Sequence, residues 1–264
     1  MFYISQEEEK MNTQHQVNQH QYQDKSNAYL SSSVHAQGAE FVKMQQCVQQ
    51  HQFKRILDLG CGAGHVSYQV APYTEQVIAY DVTSEMVELV CQQAKEKGLT
   101  QIQGQQGAAE QLPFADQSFD CVISRYSAHH WQHVGQAMQE IHRVLKPHGK
   151  VIFVDILGNG QPVLDTFLQT IEMIRDPSHV RNYNLQEWMQ FAEYAGFQVE
   201  QVEKQVLHLD FDSWVSRMQT PASGVETIRS LQGKVSDMVK QHFQIQADGS
   251  FQSDVMYLVL GKIA

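Results

Sequence analysis

The residues with chemical potential in this chain cluster where short apolar runs end. Residues 55–66 read Arg-Ile-Leu-Asp-Leu-Gly-Cys-Gly-Ala-Gly-His-Val, with glycines at 60, 62 and 64 and an acid, Asp58, two residues ahead of the first. Glycines at such a turn allow positive φ and leave no Cβ between backbone and ligand. A helix beginning just behind them offers unpaired N–H groups to electron-rich atoms. A second apolar run, 76–80, ends in Asp81. A carboxylate there can accept hydrogen bonds from both hydroxyls of a ribose. A third run, 121–124, is followed by Arg125-Tyr126-Ser127-Ala128-His129-His130-Trp131. Imidazole titrates near working pH, so His129 or His130 can act as a general base. The alternative is that one ring caps or packs the next helix and the other is exposed.

These groups need a scaffold that brings strand ends to one edge. Apolar runs alternating with 3.6-period segments predict an α/β fold with a largely parallel sheet. Strands are expected at 56–59, 76–81, 102–106, 121–124, 150–156, 197–206 and 253–261, and helices from 65 and over 84–97, 133–145, 163–174 and 185–195. Thr83 or Ser84 can cap the second of these helices. Residues 210–243 read as a helical insertion before the last strand. Open α/β sheets bind ligands beyond the carboxyl ends of their strands, where Asp58, Asp81 and the histidine pair would sit.

The glycine spacing narrows the ligand. A dinucleotide fingerprint puts its third glycine three residues after the second. Here that position is His65, which argues against a nicotinamide oxidoreductase. The D-x-G-x-G-x-G pattern at 58–64 resembles motif I of the class I S-adenosylmethionine-dependent methyltransferases. Further on, G-A-A-E-Q-L-P-F (107–114), P-F-A-D-Q-S-F-D (113–120) and L-K-P-H-G (145–149) resemble the UbiE-like, type 11 members. The likeness covers 55–156 well and the remainder loosely. It also resembles a group of uncharacterised bacterial small-molecule methyltransferases.

The resemblance implies a Rossmann-like class I methyltransferase fold: a seven-stranded, mostly parallel sheet with helices on both faces and an antiparallel last strand. An N-terminal helical lid and the insertion before the last strand complete it. Implied boundaries are a flexible extension at 1–12 and a single domain at 13–264, divided into a lid (13–50), a cofactor-binding core (51–157) and substrate-side additions with the last two strands (158–264). The implied cofactor-binding residues are Asp58, Gly60, Gly62, Gly64, Asp81, Val82, Met86, Ala109, Glu110 and Arg125. Asp58 would hold the cofactor's amino group and Asp81 its ribose; Met86 would cover the adenine, and Arg125 would offer its carbonyl. The acid that usually meets the adenine amino group is replaced by Ala108, so that recognition must come from elsewhere. His130, then His129, are the implied bases. Tyr29, His35 and Gln37 in the lid, with His179, Arg181 and Tyr183 in the segment 175–183, are candidate acceptor-pocket residues. That segment reads equally as a surface loop with internal salt bridges. An alternative to catalysis is a regulator that binds the cofactor without turning it over.

Composition sets the remaining bounds. With 264 residues and 42% hydrophobic content the chain can build one sizeable core. A formal net charge of -10 argues against nucleic acid by bulk electrostatics. The four cysteines lack metal spacing, and no apolar run reaches the ~18 residues of a membrane span. A small-molecule substrate, no metal, no nucleic-acid or membrane partner, a cytoplasmic location and a monomer or homodimer are therefore expected. The Gln- and His-rich stretch before residue 25 reads as a solvated, loosely helical segment.

Overall fold

The computed structural model describes residues 13–23 and 38–263. Elements are numbered within those residues. Helix α1 (Gln14–Tyr22) comes first and α2 (Ala39–His51) second. The core then alternates: β1 (Arg55–Leu59), α3 (His65–Val70), β2 (Gln76–Asp81), α4 (Ser84–Glu96), β3 (Ile102–Gln106), β4 (Phe119–Arg125), α5 (Val134–Val144) and β5 (Leu145–Ile156). It continues through α6 (Pro162–Arg175), α7 (Leu185–Tyr194), β6 (Phe197–Leu209), α8 (Phe211–Arg217), α9 (Ala222–Lys234), α10 (Asp237–His242) and β7 (Phe251–Lys262).

The sheet order is β3-β2-β1-β4-β5-β7-β6. All pairs from β3 to β5 are parallel, and β7 runs antiparallel to both its neighbours, as the resemblance implied. Adjacent residues of the central strands point into opposite layers. Cys121 and Ile123 join the layer of α2–α4, whereas Phe119 and Val122 join that of α5 and α7. Covering both faces explains why these strands read as unbroken apolar runs. The order reverses between β1 and β4, which opens a crevice at their carboxyl ends.

Local chemistry moves two boundaries. Helix α3 stops at Val70 and gives way to a single 3₁₀ turn, Ala71–Tyr73, because Pro72 has no N–H to continue the helix. The strand expected from 150 begins earlier, at Leu145, which already pairs with Phe119, and His148 takes the bend at φ 63°. The P-F-x-D segment is fixed from α5. Arg143 donates to the Leu112 and Phe114 carbonyls at 2.8 and 2.7 Å and to Asp116 at 2.9 Å.

Candidate active site

At the crevice lies a cleft of about 980 Å³, open mouth included. Its floor is the glycine turn. Gly60 and Cys61 donate to the Tyr80 carbonyl at 2.8 and 3.0 Å, tying the turn to β2. Gly60 has φ +74°, and a Cβ there would lie 1.8 Å from Ser127 Oγ, so the position admits only glycine. At Gly62, φ is +48° and a Cβ would meet nothing within 4 Å; the space above that backbone belongs to the cleft. Gly64 is outside the lining residues. It is the left-handed N-cap of α3, packed against Tyr68 and Val90.

Two carboxylates face this floor, Asp58 buried and Asp81 half-buried. Asp58 accepts from Ser67 N–H at 2.9 Å and Ser67 Oγ at 2.6 Å, both on Oδ2, so Oδ1 keeps its lone pairs. Burial pushes its pKa up to about 7, with the Ser67 bonds only partly restraining it. Asp81 spreads its bonds, Gly62 N–H on Oδ2 and Thr83 N–H on Oδ1, each at 2.9 Å. Burial raises Asp81 as well, against the pull of those donors. Thr83 is the N-cap of α4 by backbone geometry, without a capping bond from its side chain. Val82, Met86, Ala109, Glu110 and Arg125 all line the cleft, and so does Ala108.

Three of those positions carry structural bonds of their own. Arg125 is buried, and its guanidinium meets Glu40 of α2 at 2.7 and 2.9 Å. Glu110 takes His133 N–H at 3.1 Å on one oxygen and His15 Nε2 at 3.2 Å on the other. Ala108 offers its carbonyl to the Tyr80 hydroxyl at 3.2 Å.

The histidines divide. His129 Nδ1 lies 2.5 Å from Asp155 Oδ1. Burial alone would lower His129, but the charge and hydrogen bond of Asp155 outweigh it and its pKa is raised. His130 lines the cleft. Its Nδ1 is 3.2 Å from the Ser178 carbonyl, which can only accept, so Nδ1 carries the proton. Nε2, 2.7 Å from the Tyr22 hydroxyl, is therefore the lone-pair nitrogen of the neutral ring. Burial, reinforced by the neighbouring His129 charge, pushes His130 down to about 4. Asp176 stands 3.9 Å from that Nε2. Burial opposes its charge, but His130, Ser178 and Arg175 together hold it below the usual carboxylate range.

The segment 175–183 supports this pair from behind. Val180 and Arg181 N–H groups donate to the His129 carbonyl at 2.9 and 3.1 Å. His179 is buried and bonded to Gln169, and burial pushes its pKa down to about 2. Arg181 is committed to Asp165 and Glu187 at 3.1 and 3.0 Å, and Tyr183 packs on Trp188 and Phe191. None of these three lines the cleft. Tyr29, His35 and Gln37 lie outside the described residues.

The sequence suggested a loosely helical stretch before residue 25 but not the contacts that α1 makes. The stretch expected to be solvated lies across the cleft and spends its polar side chains there. Gln14 bonds the Ser178 carbonyl, Asn18 the His130 carbonyl and Gln19 the Val82 carbonyl, at 2.9–3.0 Å, while Asn18 is buried. Without an apolar stripe the segment gave no amphipathic signal. Its one legible cue was Thr13-x-x-Gln16, a capping box in which each side chain bonds the other's backbone N–H.

A family model described as a methyltransferase domain matches residues 57–153. The uncharacterised protein YafE of Escherichia coli is 44% identical over 205 residues, covering 78% of this chain and 99% of that protein. The uncharacterised methyltransferase YcgJ of Bacillus subtilis is 37% identical over 87% of this chain and 90% of its own. The crystal structure of YcgJ superposes with a TM-score of 0.81, at 35% identity, over 85% of this chain and 98% of that one. The ubiquinone/menaquinone biosynthesis C-methyltransferase UbiE of Haemophilus ducreyi is 30% identical over 55% of this chain and 56% of its own.

The chain belongs to the class I S-adenosylmethionine-dependent methyltransferases, of the UbiE-like type.

This methyltransferase is an enzyme whose cofactor is S-adenosylmethionine. The cleft suits that cofactor on chemical grounds. Asp58, buried and poorer at bearing charge than in water, gains from a ligand that brings an ammonium. No cluster of side chains able to hold a metal ion occurs among the described residues.

Proposed function

We propose that this methyltransferase transfers the sulfonium methyl to a small organic acceptor by in-line displacement, with His130 as the proton acceptor. The observation that carries this reading is a shared wall. Tyr22, Tyr126 and His130 line the cofactor cleft and also a second cavity of about 510 Å³ on its far side. An acceptor in that cavity would present its nucleophile at the boundary.

When bound, the cofactor supplies a methyl group already activated by positive sulfur, with a leaving thioether that needs no protonation. The protein's task is alignment and exclusion of water. We assign Asp58 Oδ1 and the Arg125 carbonyl to the amino group, and Asp81 to the ribose hydroxyls. Gly60, Gly62 and Gly64 shape the turn beneath them. Val82 and Met86 would flank the adenine, with Ala109 N–H and Glu110 at its edge. His130 Nε2 accepts the proton of a hydroxyl or similar nucleophile, and the imidazolium so formed is met by Asp176. His129 stands second because it lines the second cavity but not the cofactor cleft.

In the same reading, α1 and α2 belong to the lid of 13–50 over the core of 51–157, and the additions at 158–264 complete the acceptor side of a single domain; the extension at 1–12 lies outside the described residues. A monomer or homodimer in the cytoplasm fits four free thiols. The test is a mass-spectrometric screen for S-adenosylhomocysteine formed with small acids, phenols and quinone precursors. Turnover that His130→Ala slows without loss of cofactor binding supports the reading. Bound cofactor with no turnover on any acceptor class, or a fully active His130→Ala, would sink it.

A further inference from the structure

The second cavity holds an imidazole that the step at His130 leaves idle. His129 lines this cavity, though not the cofactor cleft. Its ring is held from behind by Asp155, buried near the end of β5. Asp155 Oδ1 accepts from Ile156 N–H at 2.8 Å and faces His129 Nδ1 at 2.5 Å, while Oδ2 accepts from His129 N–H at 3.3 Å. A carboxylate only accepts, so Nδ1 carries a proton toward it. The opposite nitrogen, Nε2, makes no hydrogen bond among the described residues, and it is not sealed in the core. His130 differs: it lines both spaces, and the Tyr22 hydroxyl meets its Nε2 at 2.7 Å. The two rings are neighbours, with centroids 4.2 Å apart.

Elsewhere the cavity offers an apolar surface from Ile156, Leu207, Leu209 and Trp214. Its charged side chains are already engaged within the protein. Glu172 and Arg175 pair at 3.2 Å, Arg175 also bonds the Trp214 carbonyl at 2.9 Å, and Arg217 has interactions of its own. The volume, about 510 Å³, is that of a small-molecule site.

We propose that His129 is a second binding group for the acceptor, and that the acceptor is a small aromatic molecule with hydroxyls on two neighbouring carbons, one at the Tyr126–His130 wall and the other on His129 Nε2. This rests on the methyl-transfer reading above and names its substrate class. Neighbouring rings call for neighbouring oxygens. Burial lowers the pKa of His129, but Asp155 outweighs it, which brings the protonated ring into the neutral range. Nε2 then presents a lone pair in one form and an N–H in the other. A hydroxyl both donates and accepts, so it suits either form, whereas a carbonyl or a methoxy oxygen suits only one.

The step balances. A lone pair of the hydroxyl oxygen at the wall forms the new C–O bond as the methyl C–S bond breaks, and the C–S electron pair stays on sulfur as a neutral thioether. The proton of that hydroxyl passes to His130 and leaves to solvent. The second hydroxyl stays on His129. The products are a monomethyl ether with one hydroxyl free, S-adenosylhomocysteine and one proton.

The experiment uses the full chain with catechol as probe, and with phenol and hydroquinone as analogues that lack the second hydroxyl or carry it across the ring. Isothermal titration first measures S-adenosylhomocysteine, then each probe on the complex, for wild type and His129→Ala. Catechol should bind at least about tenfold tighter than either analogue, and His129→Ala should erase that preference with S-adenosylhomocysteine affinity unchanged. With S-adenosylmethionine, mass spectrometry should find the monomethyl ether. If S-adenosylhomocysteine binds but catechol binds no better than phenol or hydroquinone, or if the preference survives His129→Ala, the inference is overturned while the methyltransferase reading stands. A complex that takes none of the three overturns it as well. If S-adenosylhomocysteine fails to bind the folded protein, the reading beneath it fails instead. The three-probe comparison needs no variant, so it still decides the matter if His129→Ala folds poorly.

Discussion

The two sides of the active site are built in different ways. The cofactor side is backbone. Its shape comes from a glycine turn hung between β1 and β2, and its two carboxylates sit at consecutive strand ends, each satisfied by N–H groups close in sequence. The acceptor side is side chains brought from afar. Tyr22 reaches His130 across 108 positions, and Arg175 reaches the Trp214 carbonyl across 39. The first can be kept intact by a short motif. The second depends on packing, and can change its ligand without disturbing the first.

Breaking the long-range joints should therefore cost most. Glu40→Ala leaves a buried Arg125 guanidinium without its carboxylate, and should destabilise the protein by ~3–5 kcal/mol in urea unfolding. An unchanged midpoint would mean that the pair does not hold α2 to the site. His130→Ala should lower kcat by about 10²-fold or more while the affinity for S-adenosylhomocysteine stays put. Equal losses in both would place the ring on the cofactor side and blur the division.

Proton linkage sharpens the contrast further. Asp58, raised to about 7, is neutral below that pH and ionised above it. A cationic amino group favours the ionised form, so cofactor affinity should climb up to about tenfold per pH unit below pH 7 and level off above it. Titration in buffers of different ionisation enthalpy should show proton release on binding near pH 6. His130, lowered to about 4, stays neutral across this range and should add no step to the acceptor's binding curve. The smallest effect is Tyr22→Phe, which removes the hydroxyl from His130 and should cost about 1 kcal/mol of stability in thermal unfolding. No change there would show α1 held by its amide bonds alone.

The same division explains what could be read from the chain. The strand at 76–81 matches β2 residue for residue, because an apolar run buried on both faces and closed by turns leaves little choice; the strand at 102–106 matches β3 as well, although Ile102 is the one buried residue in it. The antiparallel last strand followed from family likeness rather than from any pattern within it. Residues 175–183 illustrate the limit. A histidine, two arginines and a tyrosine suggested an anion site, yet Arg181 had its acids waiting at 165 and 187, and only the fold reveals such pairings. Conversely, Arg175 in that segment meets the second cavity through Trp214, a contact 39 positions away that no spacing announces. The contacts of helix α1 were illegible for a related reason: they go to the loop carbonyls of Val82, His130 and Ser178, which carry no sequence signature.

The central claim, that a backbone-built cleft ending in Asp81 holds S-adenosylmethionine, is tested most directly by isothermal titration of wild type and Asp81→Ala with S-adenosylhomocysteine and with NAD. The account predicts that S-adenosylhomocysteine binds, that NAD does not, and that Asp81→Ala weakens binding by about tenfold or more through two lost ribose hydrogen bonds. Binding of NAD, or S-adenosylhomocysteine affinity indifferent to Asp81→Ala in folded protein, would contradict it.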